Sequence, residues 1–255
     1  MAVSTDNVGG AGSSAAPSPE LLREWKQAAA RAAVATVPDG AVIGLGSGST
    51  AEIMVEELAA RVREGLHVTG VASSERIREL AAGRGVPLAE LNAVDALTLS
   101  IDGADEVALP RLDLVKGLGG ALLREKLIAG ASRYRIIIVD ASKLSSGPLT
   151  HHAVPVEAVP FGWRHTAGRL VALGTRPLLR LASGADPADP AAAPYVTDGG
   201  HYILDCAFGP LIYPDLLAAQ LKAIVGVVEH GLFIGMTERV YVGSPDGVRT
   251  YDRQS

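Results

Sequence analysis

The chain has 255 residues, of which 48% are hydrophobic and 20% charged, values that are typical of a globular protein and exclude a fibrous or wholly disordered one. The formal net charge of −5 indicates no broad electrostatic attraction to nucleic acid or to an anionic membrane, so neither partner is expected. The single cysteine, Cys206, excludes an intramolecular disulfide and a zinc site built on paired cysteines.

Targeting signals are absent from the sequence pattern. No apolar stretch approaches the roughly 18 residues that a membrane-spanning helix needs. The N-terminal residues have neither the basic region nor the continuous apolar region of a secretory signal, so we expect a cytoplasmic protein. Residues 1–17 are rich in Gly, Ala and Ser with almost no bulky side chains, which predicts a disordered tail.

The first predicted helix begins at Ser18-Pro19-Glu20, which combines a capping hydroxyl, a proline in the first turn and an acid near the positive end of the helix dipole. Apolar residues then recur at helical spacing. The predicted buried face consists of Leu21, Leu22, Trp25, Ala29 and Ala32.

Strands and helices alternate after this helix. Predicted strands cover residues 41–45, 68–72, 96–101 and 135–140, and the helices between them include residues 51–63 and 121–131. The strands are nearly continuous runs of Val, Ile and Leu, as expected for strands that are covered on both faces. This pattern predicts an α/β fold in which a Rossmann-like domain has a doubly wound, mainly parallel sheet.

A second, smaller α+β domain is predicted for residues 149–235, where the order changes to strand, helix, two strands, helix and strand. The last predicted strand, residues 239–243, returns to the first domain. The predicted catalytic domain therefore comprises residues 18–148 together with 236–255.

The loop Gly44–Thr50 lies between a predicted strand and a helix and combines glycines with three hydroxyl side chains. Glycines allow close approach of a ligand to the backbone, and free N–H groups at a helix start favour an anion. The P-loop pattern is missing, and Ser73-Ser74 stands where a dinucleotide site needs an acid, which disfavours NAD. We expect a monophosphate of a small molecule here; the alternative is a tight turn capped by a hydroxyl.

A second motif, Asp102-Gly103-Ala104-Asp105-Glu106, follows an apolar strand. In open α/β sheets ligands bind at the carboxyl ends of strands. Three acids within five residues repel one another, so a role in ligand binding is favoured over a role in stability. A cation site and a solvated acidic loop are the alternatives, although no second acidic cluster supports magnesium.

The third motif is the glycine-rich loop 116–120, in which Lys116 is a cation able to stabilise an oxyanion. Glu125 follows on the next predicted helix, within Arg124-Glu125-Lys126, and spacing alone leaves open whether this triplet is a solvated charged face. Lys143 follows the strand at residues 135–140 and can reach the same edge of the sheet.

Together these loops offer a phosphate-binding turn, carboxylates and a lysine, without a redox-cofactor motif or a metal-ligand set. This combination suits proton transfer beside the carbonyl of a sugar phosphate. One carboxylate placed over two adjacent carbons can remove a proton from one and return it to the other. A fixed cation and N–H groups stabilise the enediolate formed between the two steps.

A family resemblance is carried by the motifs GLGSGST, SSERIREL, DGADEV, KGLGGALLREK, VDASKL, GWRHTA, HYILDC, GVVEHGLFIGM and RVYVG. In this order and at these spacings, from residue 21 to 251, they resemble ribose-5-phosphate isomerase of the A type. The resemblance implies interconversion of ribose 5-phosphate and ribulose 5-phosphate without metal or cofactor. It also implies a homo-oligomer, either a dimer or a tetramer.

The resemblance assigns roles to single residues. Glu125 is expected to carry the proton between C1 and C2, Asp102 and Asp105 to act in ring opening, and Lys116 to steady the enediolate. Lys26 matches a basic residue near the phosphate. The full set of expected substrate-binding residues is Ser47, Gly48, Ser49, Thr50, Asp102, Gly103, Ala104, Asp105, Lys116, Gly117, Leu118, Gly119 and Lys143.

Two alternatives remain at this point. Leu118 stands where the family commonly has glycine, and a branched side chain there would narrow the pocket, which keeps open an isomerase for a related sugar phosphate. The second alternative is a non-catalytic sugar-phosphate sensor. Such regulators usually carry a DNA-binding helix-turn-helix, and the segment before the predicted sheet is too short and not basic.

Overall fold

The computed structural model describes residues 17–189 and 191–254, so the predicted tail at residues 1–17 lies outside the described residues except for Pro17. Six α-helices are described in these ranges: α1 Pro19–Val34, α2 Ser49–Arg63, α3 Glu75–Gly83, α4 Leu122–Ala131, α5 Trp163–Val171 and α6 Pro214–Lys222. The strands, in chain order, are β1 Ala41–Leu45, β2 Val68–Ala72, β3 Leu99–Asp102, β4 Glu106–Ala108, β5 Asp113–Val115, β6 Arg135–Asp140, β7 Leu144–Ser145, β8 Val154–Ala158, β9 Arg176–Leu179, β10 Tyr202–Ala207, β11 Val227–His230, β12 Leu232–Phe233, β13 Arg239–Ser244 and β14 Gly247–Asp252.

The largest sheet has six strands in the order β14-β13-β6-β3-β1-β2. All its neighbours pair in parallel except the edge strand β14, which is antiparallel to β13. This confirms the expected mainly parallel, Rossmann-like sheet and the return of the last strands to it. The chain leaves β1 towards β2 and then crosses back to β3 on the other side of β1, so a crevice forms where β1 and β3 end.

Helix α1 packs on this sheet through small side chains, and its predicted buried face is partly wrong. The residues in the core are Ala29, Ala30, Ala33 and Val34, whereas Leu21 is 44% exposed. The first turn of α1 borders an open groove between α1 and α2. Further along, the α1 backbone lies so close to β13 that a Cβ at Gly243 would collide with the carbonyl of Trp25.

The smaller predicted domain contains an antiparallel sheet in the order β11-β8-β10-β9, covered by α5 and α6. This arrangement is the expected α+β organisation. A third sheet, β12-β5-β4-β7, was not predicted, because strands of two or three residues are too short to show a periodicity. Since β12 pairs with β5, the chain returns to the first part of the fold before residue 236, and the division into two domains stays a prediction.

Within residues 17–189 and 191–254, no helix combines the length and the apolar character needed to cross a membrane.

Candidate active site

The turn after β1 is shaped to receive an anion. Gly48 has φ +87° and ψ 177°, a backbone conformation that essentially only glycine adopts, and it precedes the first turn of α2. The first N–H groups of α2 have no intrahelical acceptor, and no side chain caps them. Ser49 and Thr50 begin this helix, so N–H groups and hydroxyls meet at the positive end of its dipole.

Ser47 is held by two serines that follow β2. Its Oγ lies 2.6 Å from Oγ of Ser73 and donates to Oγ of Ser74 at 2.8 Å. Ser74 in turn caps α3 by accepting from the N–H of Ile77. Ser73 and Ser74, which in the sequence only disfavour NAD, therefore have a supporting role that was not predicted. Their position directly after a buried strand is the signal that could have revealed it.

Asp102 ends β3 and lies against the same turn. Its Oδ1 accepts from the N–H groups of Ser47 at 3.1 Å and Gly103 at 2.7 Å. A Cβ at Gly46 would collide with this carboxylate, so a glycine is required at that position. The oxygen Oδ2 lies 3.0 Å from Nζ of Lys116.

Lys116 and Glu125 form the centre of the site. The Lys116 ammonium is buried, donates to the carbonyl of Gly103 at 2.7 Å and lies 3.3 Å from Oε2 of Glu125. Glu125 belongs to the first turn of α4 and is also buried. Its Oε2 accepts no well-directed hydrogen bond from any residue in the described ranges. The Glu125 carboxyl therefore keeps one buried oxygen without a hydrogen bond beside a fixed cation.

Burial and neighbouring charges shift the protonation equilibria of this cluster. Burial, reinforced by the carboxylates of Asp102 and Asp105, raises the pKa of Glu125 to about 8 against the opposing charge of Lys116. Burial also raises the pKa of Asp102, although Lys116 opposes the shift. For Lys116 burial alone would lower the pKa, but Asp102 and Glu125 outweigh it, so its pKa is raised and the ammonium stays charged.

The two remaining acids of the DGADE motif point to different places. Asp105 accepts from the N–H of Leu118 at 2.9 Å and so fixes the glycine-rich loop beside the cleft. Glu106 is fully buried and accepts from the N–H groups of Thr150 and His151 at 2.7 and 2.9 Å. Glu106 therefore holds the segment that leads into β8, away from the reacting groups.

A cleft of about 110 Å³ connects these groups. Its lining residues are Lys26, Ser47, Gly48, Ser49, Thr50, Gly103, Ala104, Asp105, Lys116, Gly117, Gly119, Glu125 and Lys143. Two of the expected site residues are not among them. Asp102 lies behind Lys116, and Leu118 is 42% exposed and does not line the cleft.

Two further lysines, Lys26 and Lys143, line the cleft. Nζ of Lys26 lies 3.9 Å from Oδ2 of the buried Asp140, which also accepts from the N–H of Ser142 at 3.0 Å. Lys143 lines the cleft without an ion pair to any residue of the described ranges. Within those ranges, no group of three or more His, Cys, Asp or Glu side chains is arranged to hold a metal ion.

A buried carboxyl with a pKa near neutrality, set beside a cation and an anion-binding turn, is suited to moving protons next to the carbonyl of a phosphorylated substrate. This is the chemistry of the aldose–ketose isomerases. Comparison with known proteins identifies the family. The family model described as ribose 5-phosphate isomerase A (phosphoriboisomerase A) matches residues 69–247.

Relatives and solved structures agree over nearly the whole chain. Ribose-5-phosphate isomerase A of Synechococcus sp. is 51% identical over 233 residues, which is 91% of this chain and 98% of that relative. The solved ribose 5-phosphate isomerase A from Methanocaldococcus jannaschii is 35% identical with a TM-score of 0.83, covering 90% of this chain and 99% of that one. A solved D-ribose-5-phosphate isomerase in complex with phospho-erythronic acid is 34% identical with a TM-score of 0.85, covering 91% and 99%.

The chain therefore belongs to the ribose 5-phosphate isomerase A family. The fold and the enzyme class expected from the sequence are confirmed.

Proposed function

We propose that Glu125 is the general base of an isomerase that interconverts ribose 5-phosphate and ribulose 5-phosphate, carrying one proton between C2 and C1. The observation that carries this proposal is the Glu125 carboxyl, which lines the cleft with the Lys116 ammonium 3.3 Å from its Oε2, while that buried oxygen has no hydrogen-bond partner among the described residues. A carboxyl group with a pKa near 8 is matched to accepting and returning a proton at neutral pH.

Substrate orientation follows from the two ends of the cleft. The phosphate binds the N–H groups and hydroxyls of Ser47–Thr50, with Lys26 and Lys143 supplying positive charge. The carbonyl end then lies toward Lys116 and Glu125. A solved relative binds phospho-erythronic acid, whose planar carboxylate at one end and phosphate at the other share the charge distribution of an enediolate phosphate.

Ring opening precedes isomerisation, because only the open-chain aldose has a carbonyl at C1. Asp105 lines the cleft, and Asp102 lies behind Lys116 with a raised pKa. Asp105 can accept the proton of the C1 hydroxyl, and the Asp102 carboxyl can deliver a proton to the ring oxygen by way of the Lys116 ammonium, which lies 3.0 Å from Asp102 and lines the cleft. This step gives an aldehyde carbonyl at C1, which makes the proton on C2 available for abstraction.

Isomerisation then proceeds in two proton transfers. The Glu125 carboxylate takes the proton from C2, the C–H electron pair forms the C1–C2 double bond, and the carbonyl electrons move to O1. Lys116 stabilises the negative charge on O1, the role of an oxyanion-stabilising donor. Glu125 returns the proton to C1, while the hydroxyl proton passes from O2 to O1 through the Lys116–Asp102 pair, 3.0 Å apart.

Neither alternative from the sequence is supported by a specific contact. Leu118 does not line the cleft, so it gives no reason for a different sugar. A binding protein has no use for a buried carboxylate left without a hydrogen bond, since such a group costs stability.

The test is formation of ribulose 5-phosphate by the purified chain in the presence of a chelator, compared with Glu125→Gln. The variant is expected to lose about 10²–10⁴-fold in kcat, the contribution of a general base. Glu79→Gln changes an exposed glutamate of α3 and serves as the matched control. Full activity in Glu125→Gln would contradict the assigned role. A homo-oligomeric state and a cytoplasmic location stay predictions, to be checked by light scattering and by fractionation.

A further inference from the structure

A second, largely buried lysine adjoins the base. Lys126 follows Glu125 in α4 but does not line the cleft, and its side chain is 14% exposed. Its ammonium donates to the carbonyl of His230 at 2.5 Å and to Oε1 of Glu229 at 2.9 Å. It also lies 4.8 Å from the centre of the Phe233 ring. Glu229, His230 and Phe233 all belong to the segment 229–233, which comprises the end of β11, Gly231 and β12.

The same segment also holds Lys116. The backbone N–H of Lys116 donates to the carbonyl of Gly231 at 2.8 Å, and the Lys116 ammonium lies 5.5 Å from the centre of the Phe233 ring. A Cβ at Gly231 would collide with the carbonyl of Lys116, so the two backbones are in direct contact. The segment 229–233 is thus a common support for the strand end that carries Lys116 and for the helix turn that carries Glu125.

The ion pair between Lys126 and Glu229 is not explained by stability alone. Replacing a buried ion pair with apolar side chains of similar volume is often neutral or stabilising. The pair does fix geometry, because the Lys126 ammonium has three defined acceptors or ring contacts around it. Burial, together with the charge of Lys126, lowers the pKa of His230 to about 4, so the imidazole is neutral and its Nδ1 accepts from the N–H of Leu232.

We propose that Lys126 is a positioning residue, which anchors the first turn of α4 to the segment 229–233 and thereby keeps the Glu125 carboxyl over the reacting carbons beside Lys116. The proposal rests on the proposed function of Glu125. It gives β11 and β12 a role in positioning Glu125, although their residues do not line the cleft.

Arg124, on the other side of Glu125, provides a contrast within the same helix turn. It pairs with Glu75 at 3.0 Å and with Asp198 at 3.6 Å, but its side chain is 38% exposed. Ion pairs open to solvent are screened and contribute little. Arg124 is therefore the matched control for removing a charge next to Glu125 without removing the buried anchor.

The experiment measures kcat and KM for ribose 5-phosphate in Lys126→Met, Lys126→Arg, Arg124→Met and the double variant Lys126→Met/Glu229→Met. We expect Lys126→Met to lower kcat by about 10–100-fold, because a misplacement of about 1 Å costs on this order. KM should change by less than about twofold, since the phosphate-binding turn is untouched. Lys126→Arg should recover part of kcat, and Arg124→Met should stay within about twofold of the wild type.

The double variant separates positioning from stability. It removes both largely buried charges and leaves unpaired only Lys222, the second partner of Glu229, whose side chain is 53% exposed. Its melting temperature is therefore expected to stay near that of the wild type while kcat stays low. A double variant with the wild-type melting temperature and the wild-type kcat would overturn the proposal, as would an equal loss of kcat in Arg124→Met. Glu125→Gln is assayed in the same series. An inactive wild type would contradict the proposed function. If the wild type is active and Glu125→Gln is inactive, the proposed function stands, and an unchanged kcat in Lys126→Met would contradict only the positioning role of Lys126.

Discussion

Replacing Lys116 with methionine is the most informative single change in the site. The side chain keeps its approximate length but loses the charge that lies 3.0 Å from Asp102 and 3.3 Å from Glu125. At an effective dielectric constant of 20, each of these contacts corresponds to about 5 kcal/mol of Coulomb attraction before desolvation is subtracted. Breaking a buried pair by removing one partner costs about 3–5 kcal/mol in folding free energy.

These magnitudes translate into two measurable effects of Lys116→Met. A loss of about 3–5 kcal/mol lowers the melting temperature by roughly 6–20 °C in a chain of this size. The loss of the oxyanion-stabilising cation lowers kcat by about 10²–10³-fold. Activity falls further at neutral pH, because Lys116 opposes the rise in the pKa of Glu125 and its removal leaves the base protonated.

The assay combines thermal melting at pH 7 with steady-state kinetics, and the double variant Lys116→Met/Asp102→Asn is the control. Removing the carboxylate as well relieves the uncompensated buried charge, so the double variant should recover most of the melting temperature and none of the activity. A single variant that melts with the wild type, or one that keeps more than about a tenth of the wild-type kcat, would refute the assigned ion pair and oxyanion role.

Four further outcomes are expected. Between pH 6 and 8, kcat/KM should increase with pH, because the Glu125 carboxyl with a pKa of about 8 must lose its proton to act as a base; a flat profile would contradict this. Because that pKa lies above the ordinary value of 4.5, ionisation of Glu125 destabilises the wild type as pH increases from 4.5 through 8, and Glu125→Gln lacks this contribution. The melting temperature of the variant minus that of the wild type should therefore be larger at pH 9 than at pH 5, and an unchanged difference would contradict the raised pKa. Gly46→Ala should lower kcat/KM by about 10-fold or more, since its Cβ displaces Asp102. Gly130→Ala, in an open position of α4, should leave kcat/KM unchanged and stabilise by about 0.5–1 kcal/mol.

Elements with strong local signals were predicted well. The bounds of β1, β2 and β6 agree with the predictions, because each is a short apolar run between turn residues. The cleft was foreseen for a topological reason, since the loops after β1 and β3 meet at the crevice of a doubly wound sheet. These features depend on neighbours in the sequence or on general rules of connection.

Features that depend on distant partners were not predictable. The spacing of Arg124-Glu125-Lys126 could not show which side chains turn inward, because the partners of Lys126 lie more than a hundred residues later in β11. The exposure of Leu21 depends on where α1 crosses the sheet, which a helical period does not reveal. The third sheet consists of strands too short to carry a pattern.

The central claim, that one carboxyl group serves both carbons, is tested most directly by hydrogen exchange at C1 of ribulose 5-phosphate. Proton NMR in D₂O follows this exchange for the wild type and for Glu125→Gln, with phospho-erythronate binding as the control for an intact site. We expect exchange and isomerisation to fall together by about 10²–10⁴-fold while the affinity for phospho-erythronate changes by less than about tenfold. Exchange at the wild-type rate in Glu125→Gln would show that another group moves the proton.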